Sequence, residues 1–379
     1  MKILIVGGGL GGLTLASFLN ESGVDYEIVE RSSDWVIKGY SIGFWNNGRN
    51  ILKKLGLAEN FDANSHGVKN YSICNGKGKL LRKYNLSEFY SSYGMSLALI
   101  DRGLLHGWLL QKVSQQKIKM NTAIVSIFQD NDKVSVGFSD NSKADYDLVV
   151  GADGLHSTVR SLLFKEVVEE KDDWRLWYAW IDSKYKNQRS VIEYIEARQF
   201  ISIFDAGEKT LVVMATPADH KTRDEVSGRV ERLKNLFKNE TAIMPGIFEN
   251  HKDEDFTPFD LSHIVLKNWI KNRVVLLGDA AHGFEPYGGV GGSMALEDAY
   301  VLAGEIIKSN NTKIVQDALF SYQKQRQPRV ARAYRLSHKM RGWALIRSKM
   351  LRKIVDFCIP FLPNSFIISE YQKLLNEEI

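Results

Sequence analysis

Residues 2–12 read KILIVGGGLGG, and this stretch decides the fold of the chain around it. Its first five residues are mostly apolar and β-branched, which is typical of a fully buried parallel strand. Gly7, Gly9 and Gly12 form a G-x-G-x-x-G motif, and apolar residues then recur at helical spacing as far as Leu19. The stretch therefore predicts a strand, a tight glycine turn and a helix in direct succession.

A second strand completes this unit and ends in an acid. Residues 24–30 are strand-like, and Glu30 follows Gly12 at close to the roughly 20 residues expected of a ribose-binding carboxylate. In such a unit Gly7 allows the tight turn, Gly9 lets the backbone approach a pyrophosphate, and the helix N-terminus attracts the phosphates. We therefore predict an ADP-binding βαβ unit. Glu30 favours an unphosphorylated ribose, as in NAD or FAD, because a carboxylate repels a 2′-phosphate.

Length and composition indicate an ordinary globular protein with room for two domains. The 379 residues are 44% hydrophobic and 25% charged, and the formal charge of +5 is not gathered into a basic stripe. Nucleic acid is therefore not an expected partner. Two isolated cysteines, Cys74 and Cys358, suit neither a disulfide framework nor a metal site and favour a reducing, cytoplasmic location. No apolar run reaches the roughly 18 residues of a transmembrane helix, so none is expected.

Three predicted strands end in glycine-containing loops. Besides residues 7–12, these loops are residues 152–154 (Ala-Asp-Gly) and 278–279 (Gly-Asp). Ligands of open α/β sheets collect beyond the carboxyl ends of the strands, so we predict one long ligand across all three loops. Asp279 suits sugar-like hydroxyls because an ionised carboxylate only accepts hydrogen bonds. The glycine loop 288–292 begins a helix, whose N-terminus can stabilise the negative charge that a reduced flavin ring carries.

The chain resembles the single-component, FAD-dependent aromatic hydroxylases, which have the para-hydroxybenzoate hydroxylase fold. The resemblance extends over nearly the whole chain. It is carried by three motifs in the family's order: Gly7, Gly9, Gly12 and Glu30; Asp153, Gly154, Ser157 and Arg160; Gly278, Asp279, His282 and Pro286. The run 291–299 is similar to that of zeaxanthin-epoxidase-like and urate-hydroxylase-like members, and salicylate-hydroxylating and tetracycline-inactivating members are similar as well.

The resemblance implies an α/β fold with a Rossmann-like FAD-binding domain, an inserted antiparallel-sheet substrate domain and a C-terminal helical segment. The pattern of the chain agrees, because from about residue 174 to 266 short strands joined by turns, followed by a polar helix, replace the buried-strand pattern. The expected boundaries are residues 1–67, 96–173 and 267–340 for the FAD-binding domain, 68–95 and 174–266 for the substrate domain, and 341–379 for the helical segment.

The implied activity is that of an FAD-dependent monooxygenase. NADPH or NADH reduces FAD, and O₂ then adds to give a flavin C4a-hydroperoxide. Its distal oxygen hydroxylates or epoxidises an aromatic, polycyclic or other electron-rich small molecule, which the protein orients and keeps dry. Two alternatives use the same scaffold: a flavin-dependent reductase or oxidase that forms no stable hydroperoxide, and a non-catalytic flavin-binding protein.

The resemblance also assigns cofactor roles to individual residues. It places Arg102 in contact with FAD, makes Asp153 a bridge between FAD and the nicotinamide donor, and puts Asp279 at the ribitol or pyrophosphate. The full expected cofactor-binding set is Gly7, Gly9, Leu10, Gly11, Gly12, Glu30, Arg31, Arg102, Asp153, Gly154, Gly278, Asp279, Pro286, Gly289, Val290, Gly291, Gly292 and Ser293. The members expected at the flavin face are Pro286, Gly289 and Gly291.

Substrate contacts are expected on the sheet of the predicted substrate domain. A segment near the C-terminus is expected to lie close to the substrate cavity. The candidates on the sheet are Tyr178, Tyr194, Arg198 and Phe204. Residues 343–363 form a basic, amphipathic run. This run suits either a helix that helps to cover the substrate cavity, which we favour, or a helix that contacts a membrane surface.

Overall fold

The computed structural model describes residues 1–35, 41–94, 96–130, 132–164, 170–182, 188–219, 222–238, 244–309 and 315–375. In chain order the strands are β1 (Lys2–Val6), β2 (Asp25–Val29), β3 (Ser41–Trp45), β4 (His66–Gly67), β5 (Asn70–Asn75), β6 (Leu80–Asn85), β7 (Leu97–Asp101), β8 (Ile118–Lys119), β9 (Ile124–Gln129), β10 (Val134–Phe138), β11 (Lys143–Tyr146), β12 (Leu148–Gly151), β13 (Glu170–Ile181), β14 (Ser190–Glu196), β15 (Gln199–Asp205), β16 (Thr210–Pro217), β17 (Thr257–His263), β18 (Ile270–Lys271) and β19 (Val274–Leu276). The α-helices are α1 (Leu10–Glu21), α2 (Asn46–Lys54), α3 (Ala58–Asn64), α4 (Leu86–Tyr93), α5 (Arg102–Gln111), α6 (Thr158–Leu163), α7 (Arg229–Leu236), α8 (Met244–Phe248), α9 (Asp279–His282), α10 (Gly291–Ser309), α11 (Val315–Ala344), α12 (Lys349–Cys358) and α13 (Ser365–Leu375).

A mostly parallel sheet forms the first layer, in the order β18-β19-β12-β1-β2-β8. Strands β19, β12, β1, β2 and β8 run parallel, and only β18 is antiparallel to its neighbour within this sheet. Ile3, Leu4 and Ile5 of β1 are fully buried, because helices cover both faces of such a sheet. This is the strand–helix–strand unit that the first thirty residues predict.

A seven-stranded sheet, which we call the middle sheet, has the order β17-β13-β16-β15-β14-β5-β6. Its strands pair antiparallel except at one junction, where β5 runs parallel to β14. At this junction the β5–β6 hairpin joins the sheet from a distant part of the chain. One face of the sheet packs against α7 and α8 through Trp177, Ile201, Met214, Leu233 and Phe248. The predicted fold class is therefore confirmed, with a mixed rather than purely antiparallel second sheet.

Two boundaries of the sheets differ from the sequence pattern. The segment before the loop 152–154, where the sequence predicts one strand, contains two: β11 in a small antiparallel sheet and β12 in the parallel sheet. Asp147 lies between them and accepts hydrogen bonds from the Lys2 amide at 2.6 Å and the Lys133 ammonium at 2.7 Å. Strand β13 of the middle sheet also begins at Glu170, a few residues before the predicted boundary. The boundaries given above for the FAD-binding domain, the substrate domain and the C-terminal helical segment remain a proposal.

The C-terminal run 343–363 is not one helix. Helix α11 ends at Ala344, and the Ser348 hydroxyl accepts a hydrogen bond from the Leu351 amide to cap the separate helix α12. Helix α12 buries Arg352 and leaves Met350 exposed. Within the described residues, no helix combines the length and the apolarity that a membrane crossing requires.

Candidate active site

The carboxyl ends of three strands meet at one edge of the parallel sheet. Val6 of β1 pairs with Gly151 of β12, which in turn pairs with Leu276 of β19. Neighbouring strands of a sheet lie about 4.8 Å apart. The three glycine-containing loops that follow these strands therefore start side by side and form one continuous surface, as the sequence predicts.

Close contacts explain the glycines of the first loop. Gly7 has a φ of +107°, and a Cβ there would lie 2.5 Å from the carbonyl oxygen of Ala152. A Cβ on Gly12 would lie 2.1 Å from the carbonyl oxygen of Gly7. In contrast, no described atom lies within 4 Å of the Cβ position on Gly9. The loop therefore folds tightly on its inner side and leaves an open cradle beside Gly9.

Glu30 bounds one end of this cradle. Its Oε2 accepts a hydrogen bond from the Gly8 amide at 2.9 Å, and its Oε1 accepts one from the Ser32 amide at 3.0 Å. Arg31 is exposed beside it. His106 of α5, which the sequence did not reveal, lies with Nε2 2.7 Å from the Gly8 carbonyl oxygen. Burial lowers the pKa of His106, so the neutral ring donates its Nε2–H to that carbonyl.

Asp153 supports the start of helix α6, whose N-cap residue is Ser157, with both carboxylate oxygens. Its Oδ1 accepts the Ser157 hydroxyl at 2.5 Å, and its Oδ2 accepts the amides of Thr158 at 2.6 Å and Val159 at 3.1 Å. Burial raises the pKa of Asp153, and these donors oppose that rise. The side chain therefore holds the shape of the second loop. Its contact with a nicotinamide donor stays a prediction, and the neighbouring Gly154, at φ +76°, lies at the turn.

Arg160 joins the second loop to the third. Its Nη1 donates to the Ala280 carbonyl oxygen at 2.9 Å, and its Nη2 donates to the Leu155 carbonyl oxygen. The third loop presents Asp279, whose side chain is accessible from the cavity described below. The surrounding protein reduces the hydration of Asp279 and raises its pKa, whereas the positive charges of His282 and Arg102 oppose that rise. Arg102 and Asp279 are thus brought together, as expected for two residues of one site.

Side chains from other parts of the chain hold the loop 286–292 in place by hydrogen bonds, and part of the loop borders the cavity. The Gly288 carbonyl oxygen accepts the Trp45 indole N–H and the Tyr371 hydroxyl, each at 3.2 Å. Gly289 has a φ of +63°, and no described atom lies within 4 Å of the Cβ position on Gly291. Helix α10 begins at Gly291, within the glycine loop 288–292, so its N-terminal amides border open space.

A cavity of about 600 Å³ extends from Asp279 and this loop to the middle sheet. The apolar side chains that line it on the sheet are Leu176, Val191, Ile195, Phe200, Phe204, Leu211 and Val213. The C-terminal part of the chain contributes Trp343, Ala344, Ile359 and Leu362. The structure therefore supports the favoured interpretation that this segment covers the cavity.

Comparison with known proteins identifies the family. Residues 1–337 match the protein family described as "FAD binding domain". The chain belongs to this FAD-binding family. It is similar to the aurachin C monooxygenase/isomerase of Stigmatella aurantiaca, at 29% identity over 80% of each chain. It is also similar to the 2-heptyl-3-hydroxy-4(1H)-quinolone synthase of Pseudomonas aeruginosa, at 27% identity over 80% of each chain.

A solved structure shows the same fold. The crystal structure of Klebsiella pneumoniae HpxO complexed with FAD and uric acid superposes with a TM-score of 0.90 at 21% identity, over 99% of this chain and 97% of that one. The predicted cofactor, FAD, is confirmed by the family. The predicted enzyme class, an FAD-dependent monooxygenase, is confirmed by the family and the named relatives.

The open positions of the site fit an extended FAD. Side chains are absent where a ligand must approach the backbone closely, at Gly9 and Gly291, and the carboxylate of Asp279 is accessible from the cavity. Val290 and Ser293 are buried, so their side chains do not project into the open part of the site. The row of strand ends is the arrangement that one long nucleotide requires.

Removal of the Asp153 carboxylate tests its positioning role. We expect Asp153→Ala to lower the free energy of unfolding by about 1–2 kcal/mol through loss of its hydrogen bonds to the start of α6, and to weaken FAD binding about tenfold because the second loop loosens. Urea denaturation and FAD titration of the apoprotein measure the two effects. Asn85→Ala is the matched control, since Asn85 caps the remote helix α4 by accepting the Ser87 amide. It should cost stability alone, and equal FAD affinity in both variants would contradict the assignment.

Of the four substrate candidates, two line the cavity, one lies on the opposite face of the middle sheet, and one lies at a turn. Tyr178 and Phe204 line the cavity. Tyr194 packs in the core on the opposite face, with Trp177 and Ile201, because successive side chains of a strand alternate between the two faces. Arg198 lies at the β14–β15 turn with φ +70° and is exposed. Tyr194 and Arg198 are therefore not retained as substrate contacts.

The structure contains a buried ionic cluster under the site that the sequence analysis does not predict. Arg329 binds Glu297 through Nε and Nη2, both at 2.7 Å, and Arg326 lies 2.8 Å from Glu297 and 2.7 Å from Asp298. His282 Nε2 contacts the second oxygen of Asp298. All five side chains are at most 4% exposed. The cluster joins α11 to the start of α10 and to α9, so it fixes the elements that carry the third loop and the loop 286–292.

Proposed function

We propose that this chain hydroxylates or epoxidises a flat, mostly apolar aromatic molecule, with FAD, NAD(P)H and O₂ as the other reactants. The cavity carries this proposal, because an apolar sheet face lies opposite the loop 286–292 at the expected flavin face. Bound FAD supplies the activation of O₂. The chain itself binds and orients the substrate and excludes water from the reaction.

We assign the cofactor to the row of strand ends. Residues 7–12 and Glu30 hold the ADP half, Asp279 with Arg102 holds the middle of the molecule, and residues 286–292 face the ring. The support is geometric: these loops adjoin, and the backbone is open where each would meet the cofactor. Tyr178 and Phe204 remain as substrate contacts.

The names of two relatives support the substrate class. One refers to aurachin C and the other to a 2-heptyl-3-hydroxy-4(1H)-quinolone, which is a heteroaromatic ring with an alkyl chain. The leucine, isoleucine and valine side chains of the cavity suit such a chain, since each methylene removed from water contributes about 0.8 kcal/mol.

We also propose a cytoplasmic location, where NAD(P)H is supplied. A membrane contact of α12 stays a less favoured prediction, although Met350 and Phe357 are more than 70% exposed.

The test begins with the purified protein. We expect a yellow protein with flavin absorbance, and NAD(P)H oxidation that a 2-alkyl-4(1H)-quinolone or an alkylphenol stimulates at least about tenfold. Under ¹⁸O₂ the product should carry one labelled oxygen, because a monooxygenase inserts one atom of O₂.

The outcomes separate the alternatives. Rapid NAD(P)H oxidation with release of hydrogen peroxide and no label in any product indicates an oxidase or reductase. A flavin-loaded protein that turns over slowly with every compound indicates a non-catalytic flavin protein. A colourless protein that FAD does not reconstitute would refute the proposal as a whole.

A further inference from the structure

The floor of the cavity carries a polar cluster that the proposed function has not used. One cross-strand row of the middle sheet places Glu193 of β14 directly opposite Ser202 of β15, and Ser202 opposite Val213 of β16. The row continues to Tyr178 of β13. All four side chains line the cavity, because residues paired across strands point to the same face.

Glu193 is held in place by a tyrosine from a distant part of the chain. Tyr71 of β5 lies diagonally to Glu193 across the parallel β5–β14 pair, and its hydroxyl donates a hydrogen bond to the carboxylate. Burial raises the pKa of Glu193 to about 7, against which the Tyr71 hydrogen bond acts. Tyr287 and Tyr371 also face it, and burial raises their pKa values, with the charge of Glu193 adding to the rise. The charged side chains of Glu285 and Arg352 line the same cavity.

Two buried hydroxyls beside Glu193 lack a partner. Among the described residues, neither the Ser202 Oγ nor the Tyr287 hydroxyl has a hydrogen-bond partner. Buried polar groups are nearly always satisfied, because a buried donor or acceptor without a partner destabilises the fold. Ser202 comes from the sheet, whereas Tyr287 comes from the loop 286–292 on the other side. The unpaired hydroxyls thus flank the space between the sheet and the expected flavin face.

We infer that Glu193, Ser202 and Tyr287 form the polar recognition site for the substrate, with Glu193 accepting a hydrogen bond from a ring N–H or phenolic O–H. The two hydroxyls donate to a carbonyl or ring oxygen of the same molecule. The ligand class is therefore a planar aromatic or heteroaromatic compound with one donor and one acceptor on an otherwise apolar frame. This inference rests on the proposed function and names the part of the substrate that the apolar lining cannot recognise.

Glu193 can also receive the proton of that donor. In this step the N–H or O–H bond of the substrate breaks, a carboxyl O–H bond forms on Glu193, and the electron pair stays on the ring. The ring becomes more electron-rich, which favours its attack by an electrophilic oxygen. No further oxidant or reductant is needed for this transfer, and Tyr71 keeps the carboxylate in position.

The experiment measures binding to the FAD-loaded enzyme through the change in flavin fluorescence. The probes are 2-heptyl-4(1H)-quinolone, which has an N–H donor and a carbonyl acceptor, and its N-methyl derivative, which lacks the donor. The wild type should prefer the N–H compound at least tenfold at pH 8. It should bind that compound about tenfold more weakly at pH 6, because only the ionised fraction of a group with a pKa near 7 accepts the donor.

Variants on the same strand separate recognition from folding. Glu193→Leu should lose both the N–H preference and the pH dependence, whereas Glu193→Gln should lose the pH dependence and keep part of the preference. Glu196→Gln is the matched control, because Glu196 is also on β14 and its Oε1 accepts the Ala197 amide instead of lining the cavity. Unchanged FAD content and circular dichroism in all variants establish that each is folded.

Several results would overturn the inference. These are equal binding of the two probes by the wild type, binding of neither probe, or a Glu193→Leu variant that keeps the preference and the pH dependence. The proposed function fails in a different way, by absence of ¹⁸O in the product and of substrate-stimulated NAD(P)H oxidation, even when the binding results are as expected.

Discussion

Arg326→Leu is expected to lower the free energy of unfolding by about 3–5 kcal/mol, because it leaves buried carboxylates without their main cation. The Arg326 guanidinium is 1% exposed and lies 2.7 Å from Asp298 and 2.8 Å from Glu297, which are fully buried. Burial lowers the pKa of Arg326, but the two carboxylates outweigh this effect and raise it overall. The charge of Arg326 is therefore present at every working pH, and its loss cannot be compensated by a change in protonation of the arginine.

Urea denaturation at a fixed, saturating FAD concentration measures this effect. Lys308→Ala is the matched control, since Lys308 forms a 3.0 Å pair with Glu305 on the surface of the same helix pair and is 74% exposed. Exposed pairs contribute at most about 1 kcal/mol, so the control should change little. A loss of less than about 1 kcal/mol in Arg326→Leu would show that the cluster does not stabilise the fold.

Gly9→Ala is expected to weaken FAD binding at least about 100-fold while the apoprotein stays folded. Gly9 has φ −75° and ψ −177°, a conformation that alanine adopts without strain. A Cβ on Gly9 meets no described atom within 4 Å, so the added methyl group projects into the cradle where a pyrophosphate would lie. The loss corresponds to about 2.7 kcal/mol of binding free energy.

FAD titration of the apoprotein and its thermal unfolding check this expectation together. Gly304→Ala is the control, because its Cβ also meets nothing within 4 Å in the described structure, but it lies far along α10. It should keep its FAD affinity. Gly12→Ala should behave differently from both, since its Cβ would lie 2.1 Å from the Gly7 carbonyl oxygen and disturb the fold itself. Full FAD affinity in Gly9→Ala would place the cofactor elsewhere.

The nucleotide-binding half of the site could be predicted because its signals are local. The turn at Gly7, the close helix contact at Gly12 and the acid at Glu30 are fixed by contacts within a single strand–helix–strand unit. The positions of residues 152–154 and 278–279 beside it follow from a general rule, since the carboxyl ends of parallel strands share one edge. These features need no knowledge of which distant residues meet.

The substrate half could not be predicted in the same way. Tyr194 and Glu193 are adjacent in sequence, and only the side on which α7 and α8 pack decides which of them faces the cavity. The partner of Glu193, Tyr71, comes from a hairpin more than a hundred residues earlier, which joins the sheet through a parallel pairing that no local pattern specifies.

The sequence alone thus predicted the strand–helix–strand unit and the row of loops beside it, because short-range backbone geometry encodes them, and its resemblance to a known family implied FAD and the fold class. Only the tertiary structure decided which side chains of the middle sheet line the cavity, how Asp153 supports the start of α6, and where the buried charges pair. The physical reason is that burial and charge pairing depend on which surfaces pack together, and this depends on contacts between residues that lie far apart in the chain.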